Sequence, residues 1–168
     1  MTKPVKLPPD QKNRDKIAGE LKNSFFIEAG AGSGKTRSLI ERMVALVVSG
    51  EADVEKLSAV TCTRKAAAEL RERFQISLER ALNNDKTPSS EKEIIKNALM
   101  NLDRCFIGTI HSFCAKLLRE RSVEAGLDPG FQEIEEEDNM VYAVNSWNEY
   151  LEMEGLKGNK MIAWMREH

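Results

Sequence analysis

The chain has few cysteines, and their spacing does not suggest a disulfide framework. Its three cysteines, Cys62, Cys105 and Cys114, are an odd number spread over separate segments. The first residues, MTKPVKLPPD, are polar and proline-bearing, unlike the apolar segment of a secretory signal. Since neither feature of a secreted protein is present, we expect reduced thiols and a cytoplasmic location.

Long apolar runs and a charge bias are also missing. No apolar stretch approaches the ~20 residues that a membrane-spanning helix requires, so we expect no membrane partner. Lys and Arg number 25 while Asp and Glu number 27, which leaves a net charge of -2. This balance gives no support to a generic nucleic-acid binder, and any such contact must come from a local patch.

What the chain does contain is an alternation of short apolar runs and helical patterns. The runs SFFIEA, LSAVTCT and CFIGTI predict three strands, each followed by a segment with apolar side chains at helical spacing. A short helix precedes the first strand, and a capping box of Ser90 and Glu93 predicts the start of a further helix. The alternation predicts an α/β fold: a mostly parallel sheet flanked by helices, with ligands at the carboxyl ends of the strands.

The most specific motif is the glycine-rich turn AGAGSGKTR, which lies between the first predicted strand and a helix. Its glycines, Gly30, Gly32 and Gly34, let successive backbone N–H groups point inward at phosphate oxygens, and the helix N-terminus adds positive potential. Lys35 is suited to the outer phosphates, and Thr36 is suited to a magnesium ion that the nucleotide brings. The motif therefore predicts a nucleotide-phosphate site.

Polar side chains follow the second predicted strand. In AVTCTRKAAAELRERF, Thr61 and Thr63 offer hydroxyls at the strand end, and Arg64 and Lys65 add positive charge. These groups suit the phosphates of a nucleic acid. The hydroxyl of Thr63 is also suited to capping the helix that follows. Both interpretations remain open at the level of sequence.

A third group of polar residues surrounds the last predicted strand. Cys105, His111 and Cys114 are side chains of a kind that zinc accepts, but no fourth ligand lies nearby. We therefore interpret the three as packing residues rather than as a metal site. For His111, a functional role on the exposed side of the strand end remains open as well.

These motifs together resemble the superfamily-one DNA helicases of the UvrD and Rep type. AGAGSGKTR, with Ala29 at the position of the usual first glycine, is similar to their phosphate loop. AVTCTRKAAAELRERF resembles their motif Ia, and FIGTIHSFCAKLLRER resembles their Thr-x-His motif. DQKNRDKI, with Gln11 and Arg14, is similar to their Q motif. The phrases GTIHSFC and GFQEIEEED are further similar to the AddA and RecB branch of helicase-nuclease subunits.

The resemblance implies ATP and Mg2+ as cofactors, with Lys35 and Thr36 in catalytic roles, Thr36 as the magnesium ligand and Gln11 reading the adenine edge. The residues that it implies for nucleotide binding are Gln11, Ala29, Gly30, Ala31, Gly32, Ser33, Gly34, Lys35, Thr36 and Arg37. The residues that it implies for contact with single-stranded DNA are Thr63, Arg64, Thr109 and His111. Because Cys62 stands where the family commonly has an aromatic residue, base stacking is not expected there.

The resemblance also implies a domain organisation. Residues 1–126 correspond to the N-terminal part of a RecA-like motor domain 1A, and residues 127–168 to the start of a helical subdomain 1B, where the composition becomes acidic and turn-rich. The expected function is that of an ATP-binding N-terminal fragment of a DNA helicase or translocase in repair or recombination. A second helicase-nuclease subunit is a candidate partner.

A carboxylate pair at the end of a buried strand, which an ATPase of this kind needs, is missing from the sequence. The apolar residues before Asp103 continue the helical stripe from Ile94, so Asp103 is interpreted as a solvated helix end. The acidic run EIEEED has no buried strand before it and is interpreted as a solvated surface or a loop. We therefore expect the chain by itself to bind ATP without turning it over. Two alternatives stay open: a small-molecule kinase built on the same phosphate loop, and a non-catalytic interaction module that nucleotide binding stabilises.

Overall fold

The computed structural model describes residues 8–132, 134, 136–158, 160, 161 and 164, with the backbone alone at residues 136 and 137. The chain divides into two compact units, of which the first ends at Leu117 and the second begins at Leu118. The predicted boundary between residues 126 and 127 stays a prediction.

Six α-helices and two strands make up the described residues, and each strand is followed directly by a helix. The elements are α1 (Gln11–Gly19), α2 (Lys35–Val48), β1 (Ser58–Thr61), α3 (Arg64–Leu82), α4 (Ser89–Met100), β2 (Phe106–Thr109), α5 (Ile110–Glu120) and α6 (Glu136–Leu156). Short 3-10 turns, Val54–Lys56 and Leu102–Arg104, lead into the two strands. The described residues thus form a mixed helix and strand fold.

The two strands of the described residues pair in parallel, with Ser58 opposite Phe106 and Thr61 opposite Thr109. Ala59 and Ile107, which face each other in the register, are both buried, whereas Val60 is exposed. This alternation is that of a sheet with one face against the core. The predicted strands at LSAVTCT and CFIGTI, and their parallel arrangement, are confirmed.

The core forms around the apolar stripe of α3. Phe74 and Leu78 are completely buried, and Leu70 is nearly so. Side chains of α2, α4 and the two strands surround them: Ile40, Met43, Val47, Ala59, Ile95, Ala98 and Ile107. Because α2 belongs to this core, its N-terminus, where the glycine-rich turn ends, is held in a defined position.

The strand predicted at residues 24–29 is absent, which corrects the expected three-stranded sheet. These residues are irregular, and Phe26 and Ile27 are 96% and 43% exposed. A strand is stable only when a neighbouring strand satisfies its backbone N–H and C=O groups. Among the described residues no strand pairs with this segment, so it does not form a strand despite its β-forming residues.

Arg42 of α2 organises the chain that leads to this segment. Its guanidinium donates to four backbone carbonyls, at 2.6 Å to Ile17, 3.3 Å to Glu20, 3.0 Å to Leu21 and 2.7 Å to Asn23. The same group lies 5.1 Å from the centroid of the Phe25 ring. One side chain therefore satisfies carbonyls that would otherwise need a helix or a sheet.

The capping box predicted at Ser90 and Glu93 is not formed. Helix α4 begins at Ser89 after Pro88, and no side chain caps its N-terminus. Ser90 therefore lies inside the first turn, where its hydroxyl cannot take the capping position. The helix itself is present as predicted, with Ile95 and Ala98 buried.

The cysteines and His111 differ in their surroundings. Cys105 is buried, with its Sγ 3.7 Å from the carbonyl oxygen of Leu57. Burial raises the pKa of the Cys105 thiol, and the charge of Arg71 opposes this shift. The packing interpretation is confirmed for Cys105 and wrong for Cys114 and His111, whose side chains are exposed.

No three His, Cys, Asp or Glu side chains in the described parts of the chain are grouped so as to hold a metal ion. None of the described helices combines the length and the apolar character that crossing a bilayer requires.

The second unit contains α6. On this helix Trp147 and Tyr150 stack, with ring centroids 5.7 Å apart and an interplanar angle of 28°. Arg119 lies 5.5 Å from the centroid of the Phe131 ring. Most apolar side chains of α6 are exposed, including Trp147 at 54%, so the helix presents a large apolar surface in this unit.

The core of the first unit leads to a stability prediction for Phe74→Ala. Removing this completely buried ring should lower the free energy of unfolding by about 3–5 kcal/mol, and urea denaturation of the chain measures the change. Ile76→Ala on the same helix is the matched control, because Ile76 is 37% exposed and should cost clearly less. Equal losses for the two variants would contradict the placement of the core.

Candidate nucleotide and nucleic-acid site

The glycine-rich turn connects the irregular segment at residues 24–29 to α2. Gly32 and Gly34 have φ angles of 72° and 89°, in the left-handed region. Other residues pay about 1–2 kcal/mol there, which explains why the sequence has glycine at both positions. Gly34 is the N-cap of α2, and its carbonyl accepts from the N–H of Ser38 at 3.0 Å.

The turn is closed by its own side chains. The Ser33 hydroxyl donates to the Gly30 carbonyl at 2.7 Å. The Lys35 ammonium donates to the same carbonyl at 2.9 Å and to the carbonyl of Ala29. The predicted phosphate-binding residues thus form one continuous segment, in which the turn at residues 29–34 leads into Lys35 and Thr36 at the start of α2, and the Lys35 ammonium is held at the backbone of the turn.

The N-terminus of α2 has the electrostatics of an anion site. The first backbone N–H groups of a helix lack intrahelical acceptors and carry partial positive charge. No acidic side chain occupies the first turn of α2. Thr36 is exposed there, so its hydroxyl is accessible to a ligand at the turn.

Arg37 lies in the same turn and pairs with Glu41 at 2.7 Å. The hydrogen bond from Arg37 to Glu41 raises the pKa of the arginine, which stays charged. Its side chain is directed along α2 rather than over the turn, and its implied part in nucleotide binding stays a prediction.

Gln11 is the predicted site residue that the structure does not bring to the turn. Its amide donates to Asp15 Oδ1 at 2.7 Å on the exposed side of α1. A cavity of about 320 Å³ lies beside the turn, and Gln11 is not among the residues that line it. Asn13 and Arg14 of the same helix line that cavity, so the role of Gln11 with adenine stays a prediction.

Arg14, which carries the similarity to the Q motif together with Gln11, contacts the turn in a way that the sequence did not reveal. Its Nη2 donates to the carbonyl of Ser33 at 2.6 Å, so α1 contacts the turn directly. Apart from the similarity to the Q motif, the available signal was the spacing of Asp10 and Arg14, which form an ion pair at 2.9 Å. Such i,i+4 pairs are common on exposed helices, and the pair alone does not indicate a contact with the turn.

The polar residues after the two strands meet at the carboxyl edge of the sheet, where Thr61 is opposite Thr109. The Thr63 hydroxyl caps α3, since it accepts from the N–H of Ala66 at 3.1 Å. Arg64 is exposed beside it. The capping interpretation of Thr63 is therefore confirmed, and the hydroxyl keeps a hydrogen that it can donate to a ligand.

Thr109 has the same arrangement at α5. Its hydroxyl accepts from the N–H of Ser112 at 3.2 Å, while the Ser112 hydroxyl donates to the Thr109 carbonyl at 2.9 Å. Gly108 permits this contact, because a β-carbon there would lie 2.7 Å from Ser112 Oγ. His111 is exposed on the first turn of α5. Exposed groups from both strand ends thus share one edge.

The glycine-rich turn and the carboxyl edge of the sheet are close to each other. Thr36 and Thr61 line one small cavity of about 140 Å³, together with Arg73, which pairs with Glu69. The start of α2 and the end of β1 therefore face the same small cavity. This places both predicted sites on neighbouring parts of the first unit.

Two segments of the sequence contain carboxylates that partly match the pattern of a catalytic pair. Asp103 is exposed in the 3-10 turn before β2, at the opposite end of that strand from Thr109. Its prediction as a solvated residue is confirmed, but it lies in a separate 3-10 turn and not at the end of α4, which stops at Met100. In EIEEED, residues 133 and 135 lie outside the described residues, and Asp138 is exposed.

Comparison with known proteins identifies the family. The sequence model described as the UvrD/REP helicase N-terminal domain matches residues 10–165. The chain belongs to the UvrD/REP helicase family. The resemblance drawn from the motifs is therefore confirmed, and the small-molecule kinase is not favoured.

Three relatives of this UvrD/REP-type chain are each named as a subunit of an ATP-dependent helicase/nuclease. The protein of Clostridium perfringens (strain SM101 / Type A) is 41% identical over 113 residues, which are 66% of this chain and 9% of the relative. That of Staphylococcus haemolyticus is 34% identical over 127 residues, 76% and 10%. That of Bacillus velezensis is 37% identical over 138 residues, 81% and 11%. The UvrD/REP-type chain spans about a tenth of these relatives.

The glycines of the turn lead to a second stability prediction. Gly32→Ala should lower the free energy of unfolding by about 1–2 kcal/mol through backbone strain, and Gly34→Ala should lower it further. The extra cost arises because the new β-carbon would lie 3.0 Å from Arg14 Nη1, whereas nothing lies within 4 Å at Gly32. Urea denaturation compares the two variants, with Gly30→Ala as the unstrained control. Equal losses of unfolding free energy in the two variants would contradict this prediction, because they would show that Arg14 moves aside without an energetic cost.

Proposed function

We propose that this chain is the ATP-binding N-terminal part of an ATP-dependent DNA helicase or translocase that acts in DNA repair or recombination. One observation carries the proposal. The glycine-rich turn, with its two left-handed glycines, leads into the N-terminus of α2 next to the carboxyl edge of a parallel sheet. In this proposal, residues 1–126 are part of a RecA-like motor domain 1A and residues 127–168 begin the helical subdomain 1B.

The residues of the turn fit a magnesium nucleotide. Backbone N–H groups at the start of α2, without a nearby acid, suit the phosphate charge. Lys35 would hold the outer phosphates, and the exposed Thr36 hydroxyl would hold Mg2+. ATP would supply the phosphate bond whose hydrolysis drives movement, and the contribution of this chain is to bind and orient that group.

The carboxyl edge of the sheet fits single-stranded DNA. Arg64 supplies exposed positive charge, His111 is exposed, the hydroxyl of Thr63 retains a hydrogen to donate, and Thr109 lies at the same edge. Contacts of this kind reach phosphates rather than bases, so binding is expected to be independent of sequence and sensitive to salt. The exposed Cys62 provides no stacking surface.

The cavity that the start of α2 shares with the strand end suggests how nucleotide and DNA are coupled. Because Thr36 and Thr61 line one cavity, a displacement of the start of α2 on nucleotide binding would be transmitted to the carboxyl edge of the sheet, where DNA would bind. In the whole motor, the carboxylate pair would follow the inserted subdomain 1B, and closure of a second RecA-like domain over ATP would bring in the catalytic arginines. A second helicase-nuclease subunit is the proposed protein partner, as the name of the relatives suggests.

The nucleotide site predicts that the chain binds MgATP and that Lys35→Ala binds it about 10–100-fold more weakly, since charge-assisted hydrogen bonds are lost. Titration with a fluorescent ATP analogue measures both affinities. Lys56→Ala is the matched control, because Lys56 pairs with Asp53 at 2.7 Å in the 3-10 turn before β1. Unchanged affinity in the Lys35 variant would remove the basis for an ATP site at this turn.

The motor function predicts that the longest natural chain containing this sequence hydrolyses ATP faster when single-stranded DNA is added. In that protein, Arg64→Ala should weaken DNA binding and reduce the slope of log affinity against log salt by about 1. Arg104→Ala is the control, because Arg104 precedes the opposite end of the sheet and pairs with Glu55 at 2.8 Å. Hydrolysis indifferent to DNA would argue against a helicase.

A further inference from the structure

Arg14 has three kinds of acceptor around one guanidinium. Nη2 donates to the Ser33 carbonyl at 2.6 Å, and Nη1 donates to the Ser38 hydroxyl at 3.4 Å. The carboxylate of Asp10 accepts from Nε at 3.2 Å and from Nη2 at 2.9 Å. Only 17% of the Arg14 side chain is exposed. The group therefore links α1, the phosphate turn and α2.

The Ser33 carbonyl, which accepts from Arg14, determines the direction of the neighbouring Gly34 N–H. The Ser33 carbonyl and the Gly34 N–H belong to one planar trans peptide, since the described residues contain no cis peptide bond. In a trans peptide these two groups point in opposite directions. Arg14 holds the carbonyl from the side of α1, so the Gly34 N–H is turned away from α1.

The surroundings of Arg14 are built to keep it in place. Ser38 is 5% exposed, so its hydroxyl needs an internal partner, and Arg14 is one. The hydrogen bond from Arg14 lowers the pKa of the Asp10 carboxyl, which is therefore ionised at neutral pH. Gly34 leaves room for the guanidinium, since a β-carbon there would lie 3.0 Å from Nη1.

We propose that Arg14 is a positioning residue of the nucleotide site, which holds the Ser33 carbonyl and thereby aims the Gly34 N–H at the phosphates of the bound nucleotide. The inference rests on the proposed ATP function and adds a residue to it. Arg14 acts through the backbone of the turn and does not itself touch the nucleotide. Its planar fork is required, because a lysine ammonium cannot reach separately oriented acceptors in the same way.

The test measures the affinity of the chain for fluorescent analogues of ATP and ADP with Mg2+. Arg14→Ala and Arg14→Lys should each weaken binding of both nucleotides about tenfold, the loss expected for one charge-assisted hydrogen bond. Methylguanidinium added to the solution should restore binding by Arg14→Ala and leave Lys35→Ala unchanged. Arg104→Ala, which removes an exposed ion-paired arginine, should bind like the unaltered chain.

Thermal unfolding of each variant separates positioning from folding. Arg14→Lys keeps the charge and most of the side-chain length, so it should unfold close to the unaltered chain while binding nucleotide weakly. Should Arg14→Ala fail to fold, Arg14→Lys and Asp10→Asn still test the proposal. Asp10→Asn removes the charge that anchors Arg14, and it should weaken binding by a smaller factor than either Arg14 variant.

The outcomes distinguish this inference from the proposed function. If the unaltered chain binds and Lys35→Ala does not, yet Arg14→Lys binds like Arg104→Ala, the positioning role is overturned and the ATP site stands. A loss confined to ATP would place Arg14 on the terminal phosphate and also overturn the positioning role. If the unaltered chain binds neither nucleotide, the proposed function fails, and the inference fails with it.

Discussion

Burial of the apolar stripe of α3 is the constraint on which the rest of the first unit depends. Phe74 and Leu78 are completely enclosed by α2, α4 and the two strands. Their burial fixes α2 beside the sheet, and α2 in turn carries the phosphate turn at its N-terminus. A turn with two left-handed glycines can persist there because the apolar contacts that hold its helix lie elsewhere.

Arginine side chains stabilise the parts of this unit that have no sheet to support them. Arg42 bonds the carbonyls that lead from α1 toward the turn, and Arg14 bonds the carbonyl of Ser33. Arg71 of α3 does the same before β2, where it donates to the carbonyls of Leu102 and Cys105. Each guanidinium presents several donors in a fixed plane, so one side chain satisfies several irregular backbone groups.

The electrostatics of the candidate site are local and differ from those of the chain as a whole. The chain is slightly negative, with a net charge of -2, yet the first turn of α2 has no acid and Arg64 is exposed at the nearby sheet edge. Acidic groups close to these cations are held in ion pairs, as Glu41 is with Arg37 and Glu69 with Arg73. Phosphate groups can therefore approach this edge without a basic protein overall.

The sequence by itself determined the elements whose signal is local: the glycine turn before α2, the stripe of α3, and the two strands whose apolar residues face the core. It also determined the family, because the motifs carry their meaning in residue type and order. Tertiary structure decided whether residues 24–29 pair as a strand, since pairing needs a partner that composition cannot show. It also decided that Arg14 and not Gln11 contacts the turn, because both lie on one helix and only its packing determines which side chain faces the glycines.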